Sequence, residues 1–255
     1  MKNKEFWDRF PARFGRAVYG EVHHGADQGG GFICQKQHEG TQFYDKEKYN
    51  FRSLVEDALE LPHSNRSLES LRYEYEPFTM ENNSDTVLHK KFYDKLRAGW
   101  PEFHATYDSF VEEVVVPIYG SRDFIYQATP TFRVHLVGNW TVPEFHTDSQ
   151  PGYNHPLGEI NIQIAVTDMC GTNATWVESA PGLGDYAPME MWWDQFTIFN
   201  GNECRHGNKI NNSDITRISF DFRILPLEHY DPAADGESGT TKKKFIIGEY
   251  YKELE

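Results

Sequence analysis

The chain has 255 residues and a formal net charge of −14, from 25 Lys and Arg against 39 Asp and Glu. Such a balance argues against a nucleic-acid partner, because phosphate binding rests on Lys and Arg displacing counterions, and it suits a cationic or neutral polyhydroxylated small molecule better. The length allows one sizeable core, so a single domain is expected over 1–255.

The N-terminus, "MKNKEFWDRFPARFGR", is charged throughout and has no apolar block of the signal-peptide kind. No later run approaches the ~18 apolar residues that span a bilayer. Cys34, Cys170 and Cys204 lie far apart with no C-x-x-C pair, so neither a disulfide framework nor a thiolate zinc site is expected. The expected location is cytoplasmic and the expected partner a small molecule, with neither membrane nor nucleic acid involved.

Up to about residue 50 the sequence shows no sustained period; "GADQGGGF" (25–32) forms no phosphate loop, since no strand precedes it and no Lys-Ser/Thr follows. "SLVEDALEL" (53–61) puts Leu54, Ala58 and Leu61 at helical spacing behind Ser53 as a cap. A second helix is expected from about Asp85 through "TVLHKKFYDKLRAGW". A third is expected in "PEFHATYDSFVEEVVVPIYG", where Pro101 is tolerated in the first turn. Residues 1–120 therefore read as a mostly helical and loop region packing on a core.

After Gly120 the period falls from 3.6 to 2. "FIYQATPTFRVHLV" sets Phe132, Val134 and Leu136 against Arg133 and His135. "EINIQIAVTD" sets Ile160, Ile162 and Ile164 against Asn161 and Gln163, and "FTIFNG" and "TRISFDFRIL" alternate likewise. Short alternating strands punctuated by Gly, Pro and Asn predict a mainly β fold with flanking helices, a sandwich or barrel over 121–230. "DPAADGESGTTKKK" (231–244) reads as a polar linker and "FIIGEYYKEL" as a final strand.

The chemistry concentrates in the β half. His146 and Asp148 follow a strand with one residue between them, and His206 follows "FTIFNG". In an antiparallel double sheet these three can converge on one face of an ion. Two imidazoles and one carboxylate leave positions open, as in non-haem Fe(II) oxygenases, though zinc accepts the same set. Arg217 adds a second signal. With Ser219 and Asp221 it occupies the inward face of "TRISFDFR", and an inward guanidinium requires an anion. Its fork suits a carboxylate, to which Ser219 can add a hydroxyl.

The string H-x-D, a later His, ten residues, then R-x-S resembles the 2-oxoglutarate-dependent oxygenases. "FRVHLVGNWTVPEFHTDSQ", "HPLGEINIQIAVTDMCGTNATWVES" and "FNGNECRHGNKINNSDITRISFDFRILP" resemble the StrG-like oxygenases of antibiotic pathways, across about residues 124–226. The resemblance implies a double-stranded β-helix (a cupin-like jelly roll), with Fe(II) on His146, Asp148 and His206. It also implies 2-oxoglutarate and O2 as co-substrates, with Arg217 and Ser219 on the far carboxylate of 2-oxoglutarate. The implied substrate is a sugar, aminocyclitol or aminoglycoside, or nucleoside of a natural-product pathway.

Because a small residue replaces the carboxylate in related halogenases, Asp148 favours hydroxylation, desaturation or ring closure. Arg133 is expected either to contact a carboxylate of co-substrate or substrate or to form a buried ion pair. Asn161 and Gln163 are expected to donate to 2-oxoglutarate or a hydroxylated substrate, and Trp176 and Glu178 to line the pocket. His104, His135, His155, His23 and His24 have no comparable frame. A zinc hydrolase, a cupin-type isomerase and a non-catalytic sugar-binding β-sandwich are the rival readings.

Overall fold

The computed structural model describes the backbone of residues 19–21 and 36–38 and, with side chains for nearly all, residues 40–61, 68–73, 86–142, 144–239 and 241–255. The glycine run at 25–32, His23, His24 and Cys34 lie outside the described residues.

The β elements are β1 (Tyr19–Glu21), β2 (Lys36–His38), β3 (Thr41–Phe43), β4 (Phe124–Gln127), β5 (Thr131–His135) and β6 (Ile160–Ala165). They continue with β7 (Thr175–Val177), β8 (Ala187–Met189), β9 (Gln195–Phe199), β10 (His206–Asn208), β11 (Arg217–Pro226) and β12 (Tyr251–Lys252). The large antiparallel sheet runs β12-β4-β11-β6-β9-β3, with β5 also on β11; a smaller sheet runs β10-β7-β8, and β1 pairs with β2. The expected strand "FIYQATPTFRVHLV" divides in two around Pro130, and its halves share one edge of β11. Proline lacks the N–H a central strand would donate. The short strands β3, β7, β8 and β10 carry too few residues for alternation to reveal them.

Three helices cover one face of the large sheet: α1 (Phe51–Ala58), α2 (Val87–Arg97) and α3 (Pro101–Phe110). Helix α1 begins two residues before the expected Ser53, because the Asn50 side chain accepts from the Ser53 N–H and so takes the cap. Thr86 caps α2 in the same way. The expected third helix ends its regular turns at Phe110, passes through a widened turn over Val111–Val115 and closes with Val116–Tyr119. Pro117 cannot donate to the preceding turn, and the wide turn absorbs that missing bond; Gly120, at φ +83°, stops the chain.

The sheet's apolar face and the helices meet in an aromatic core. Phe51, Phe92, Phe103 and Phe110 pack on Phe132, Phe196, Phe220 and Phe222, and Phe92 stacks on Phe132 with ring centroids 4.3 Å apart. Alternation places Ile160, Ile162 and Ile164 on that side. Arg133, Asn161, Gln163, Arg217, Ser219, Asp221 and Arg223 occupy the opposite face, between the two sheets.

Two expectations are corrected. Cys170 is disulfide-bonded while Cys204 is free and buried; separation along the chain says nothing of separation in space, so the spacing argument against a disulfide fails. Residues 231–244 are not a free linker. Ser238 is buried and donates its N–H to the Lys243 carbonyl, and the Gly239 N–H reaches the Tyr153 carbonyl. A Cβ at Gly239 would stand 1.7 Å from the Gly152 oxygen, so only glycine allows this approach. Among the described residues no helix is long and apolar enough to cross a membrane.

Candidate metal centre and adjoining cavities

His146 and His206 face each other across a β-bridge and exchange both backbone hydrogen bonds, His146 N–H to the His206 carbonyl at 3.0 Å and the reverse at 2.8 Å. Directly opposed residues project to the same face, and the two rings lie 4.6 Å apart between centroids. Asp148 is two residues on from His146, on the same side, with its N–H on the Gly201 carbonyl. Its Oδ1 is 3.6 Å from Nε2 of each histidine. The three residues are buried and their candidate ligand atoms lie within 4.8 Å of one another.

The tautomers are set for metal binding. A carbonyl can only accept, so Nδ1–H of His146 donates to Glu144 O (2.9 Å) and Nδ1–H of His206 to Cys204 O (3.1 Å), leaving both Nε2 lone pairs on the shared point. Burial pulls His206 down to about 4, which keeps the ring neutral. Tyr153 stacks on His146 at 4.0 Å and fixes its plane.

Asp148 is oriented from behind. Its Oδ2 accepts from Asn161 Nδ2 (2.7 Å) and from Arg223 Nε (3.1 Å) and Nη2 (3.0 Å), so Oδ1 alone faces the histidines. Against the pull of burial, Arg223 holds this carboxyl well below the usual range. A Cβ at Gly201 would stand 2.8 Å from the Asn161 amide, so the absent side chain there makes room for it. Arg223 falls on the alternating face of β11 beyond Arg217, Ser219 and Asp221, and continuing that alternation two residues further would have found it. The structure makes Asn161 a partner of Asp148.

Arg133 forms the ion pair of its two expectations, with Nε 2.7 Å from Asp221 Oδ1; Asp221 Oδ2 takes Arg223 Nη1 at 2.7 Å. Arg217 differs from these. It is 1% exposed and, among the described residues, its fork meets only hydroxyls, Ser219 Oγ at 2.8 Å and Thr141 Oγ1 at 3.2 Å. Its Nε is buried without a hydrogen-bond partner. Burial, reinforced by Arg133, pulls this guanidinium down to about 9, the electrostatic mark of a buried cation lacking a counter-anion.

A narrow recess connects Arg217, Gln163, Thr175 and Asn208 with His146 and His206. Gln163 therefore sits beside Arg217, with its Nε2 on Thr175 Oγ1 at 3.1 Å and its Oε1 unpartnered. A larger cavity of about 730 Å³ opens on the other side of His146 and Asp148. Its walls come from α2, β5, the loop at Tyr153 and His155, and the C-terminal strap at Thr241 and Lys243.

Trp176 and Glu178 line neither space. Trp176 donates Nε1–H to Gly171 O and carries Lys209 over its ring, while Glu178 accepts the N–H groups of Arg205 and Gly184 and organises that loop. Their position between Asp148 and His206 in sequence does not translate into position at the site. His135 is buried between the carbonyls of Asn139 and Asn173. His155 bonds Glu159 at 2.7 Å and forms part of the cavity wall.

No protein-family profile matches the chain. It is similar to the streptomycin biosynthesis protein StrG of Streptomyces griseus, 28% identical over 208 residues that cover 82% of this chain and 94% of that protein. Solved structures with some likeness include the nogalamycin carbocyclase SnoK, described as non-heme and alpha-ketoglutarate-dependent. It is 13% identical over 73% of this chain and 79% of its own, at a TM-score of 0.47. Another is CytC3 with Fe(II) and alpha-ketoglutarate, 16% identical over 84% and 75% at 0.43. Likeness at this level does not fix the activity of this chain.

Proposed function

We propose that the protein is an Fe(II)- and 2-oxoglutarate-dependent oxygenase acting on a small polar metabolite of the sugar, aminocyclitol or nucleoside kind in a natural-product pathway. One observation carries the reading: a fully buried guanidinium, Arg217, has no carboxylate partner among the described residues and lies in the same recess as His146 and His206. A dicarboxylate spanning from the metal to Arg217 would supply the missing anion. A zinc hydrolase using the same three residues leaves Arg217 without a purpose. The fold that goes with this reading is a double-stranded β-helix over 121–230, within one domain.

The residues fit the cofactor. His146 and His206 would hold Fe(II) through Nε2 and Asp148 through Oδ1, since Asn161 and Arg223 already occupy Oδ2. Arg217, Ser219 and Thr141 would bind the distal carboxylate of 2-oxoglutarate as a charge-assisted cluster, with Gln163 beside it. When bound, iron, 2-oxoglutarate and O2 supply the oxidising power to break an unactivated C–H bond, with succinate and CO2 as by-products. The protein's part is to orient the substrate over His146 and Asp148 from the large cavity and to keep water out. Because position 148 is a carboxylate, hydroxylation, desaturation or ring closure is the reaction proposed.

The test is anaerobic Fe(II) titration with 2-oxoglutarate, following the weak visible charge-transfer band of the chelate in wild type and Arg217→Ala. A band in wild type that needs far more 2-oxoglutarate in the variant supports the assignment. Bound metal with no band overturns it in favour of hydrolase or isomerase chemistry.

A further inference from the structure

The walls of the large cavity contradict the charge of the chain. Although acids outnumber bases 39 to 25 overall, the described residues lining the cavity include Arg97, Arg133, Arg223 and Lys243 but only one acid, Asp148. Asp148 is already committed to Arg223 and the metal point. The expectation of a cationic or neutral ligand came from the whole-chain balance, which does not describe this wall.

Within the buried cluster the guanidinium groups of Arg133, Arg217 and Arg223 stand against three carboxyl groups, Asp148, Asp221 and Glu159. The excess of cations lies on the cavity wall itself. Arg133, paired through Nε and Nη2, has no protein partner at Nη1 among the described residues. Lys243 has no carboxylate partner among them, and Arg97 has only its exposed neighbour Asp94, a pair worth little in water.

Lys243 is not a stray surface charge. The turn that presents it is closed by the bonds between Ser238 and Lys243 and between Lys242 and Ser238, and it is pinned on Gly152 and Tyr153 through Gly239. Tyr153 in turn stacks on His146. The cation is exposed, yet it is held on the cavity wall by a turn packed against Tyr153, so it meets an anion as a positioned charge that salt can screen.

Resting on the oxygenase reading, we infer that the substrate carries an anionic group, a phosphate or a carboxylate, received by Lys243 and the free edge of Arg133. Its hydroxylated body would meet Thr129, Thr131, Thr241 and Gln127. A volume of about 730 Å³ accommodates a ligand larger than a single sugar ring.

The test is calorimetric titration of the full chain, loaded with Mn(II) and saturating 2-oxoglutarate, with four hexose probes: glucose 6-phosphate, glucuronate, glucose and glucosamine. The two anionic probes are expected to bind at least tenfold more tightly than the other two, with the advantage shrinking as salt rises. A stronger response to the phosphate or to the carboxylate names the group. The exposed variant Lys243→Gln is expected to lose at least fivefold of that affinity while its 2-oxoglutarate titration stays unchanged.

Equal or better binding of glucose or glucosamine, no binding of any probe, or a preference untouched by Lys243→Gln overturns the inference. So does anion binding that competes with 2-oxoglutarate, which would map it to Arg217. The chelate band of the Fe(II) form is read separately, so loss of the oxygenase reading and loss of the anionic substrate are different results.

Discussion

Replacing Arg217 by methionine should make the unliganded protein more stable while greatly weakening its response to 2-oxoglutarate. The guanidinium is 1% exposed, faces hydroxyls only among the described residues, and is pulled by burial down to about 9; such a depression corresponds to roughly 5 kcal/mol of strain in the charged fold. Methionine removes that cost at similar length but gives up the hydrogen bonds to Ser219 and Thr141, about 1 kcal/mol each. The net expectation is a gain of roughly 3 kcal/mol, or about 6–12 °C in Tm for a chain of this size. Compared with Mn(II) alone, 2-oxoglutarate at ~100 times the wild-type Kd should add about 2.7 kcal/mol to the wild type and far less to Arg217→Met. Paired thermal melts in the absence and presence of the co-substrate measure both. A variant less stable than wild type when unliganded, or one stabilised equally by 2-oxoglutarate, refutes the view that Arg217 is a cation awaiting a carboxylate.

Asp148→Ala should lose bound iron and turnover, and should destabilise the fold by roughly 2–3 kcal/mol because Arg223 keeps only Asp221 as its partner; iron content and urea midpoints report the two effects separately. His206→Ala should likewise fail to retain iron, and full iron content in that variant would remove it from the ligand set. Buried His206 and His135 sit at about 4 and about 3 against an ordinary 6.5. In the metal-free protein the fold keeps both neutral while the unfolded chain takes up protons. Stability is therefore full above about pH 6.5 and falls as the pH drops toward 4. Urea unfolding at stepped pH checks this, and a flat profile between pH 7 and 5 contradicts it. Gly239→Ala should push the strap off Gly152 and raise KM for substrate while leaving iron content and the chelate band unchanged; an unchanged KM would remove the strap from the binding wall.

Where a residue's partner was near in sequence or its pattern ran for several residues, the sequence could be read correctly. The alternation in "EINIQIAVTD" and "TRISFDFRIL" placed the isoleucines and phenylalanines on the helix side and Asn161, Gln163, Arg217, Ser219 and Asp221 on the other. Capping and proline chemistry instead shifted the helix limits by a few residues, through Asn50 and Pro117. Strands of three residues, β7, β8 and β10, left no period to read.

The sequence by itself determined the residue types available for chemistry and, through side-chain periodicity, which of them share a face, because both follow from local covalent geometry. Tertiary structure decided who meets whom. It turned Asn161 and Arg223 onto Asp148, paired Arg133 with Asp221, left Arg217 alone, removed Trp176 and Glu178 from the cavity, and brought Lys243 to its wall. Those outcomes depend on contacts between segments far apart along the chain, as between Asp148 and Arg223 or Arg133 and Asp221. Such contacts are fixed only when the sheets close and the loss of water makes each buried charge find a partner or wait for one.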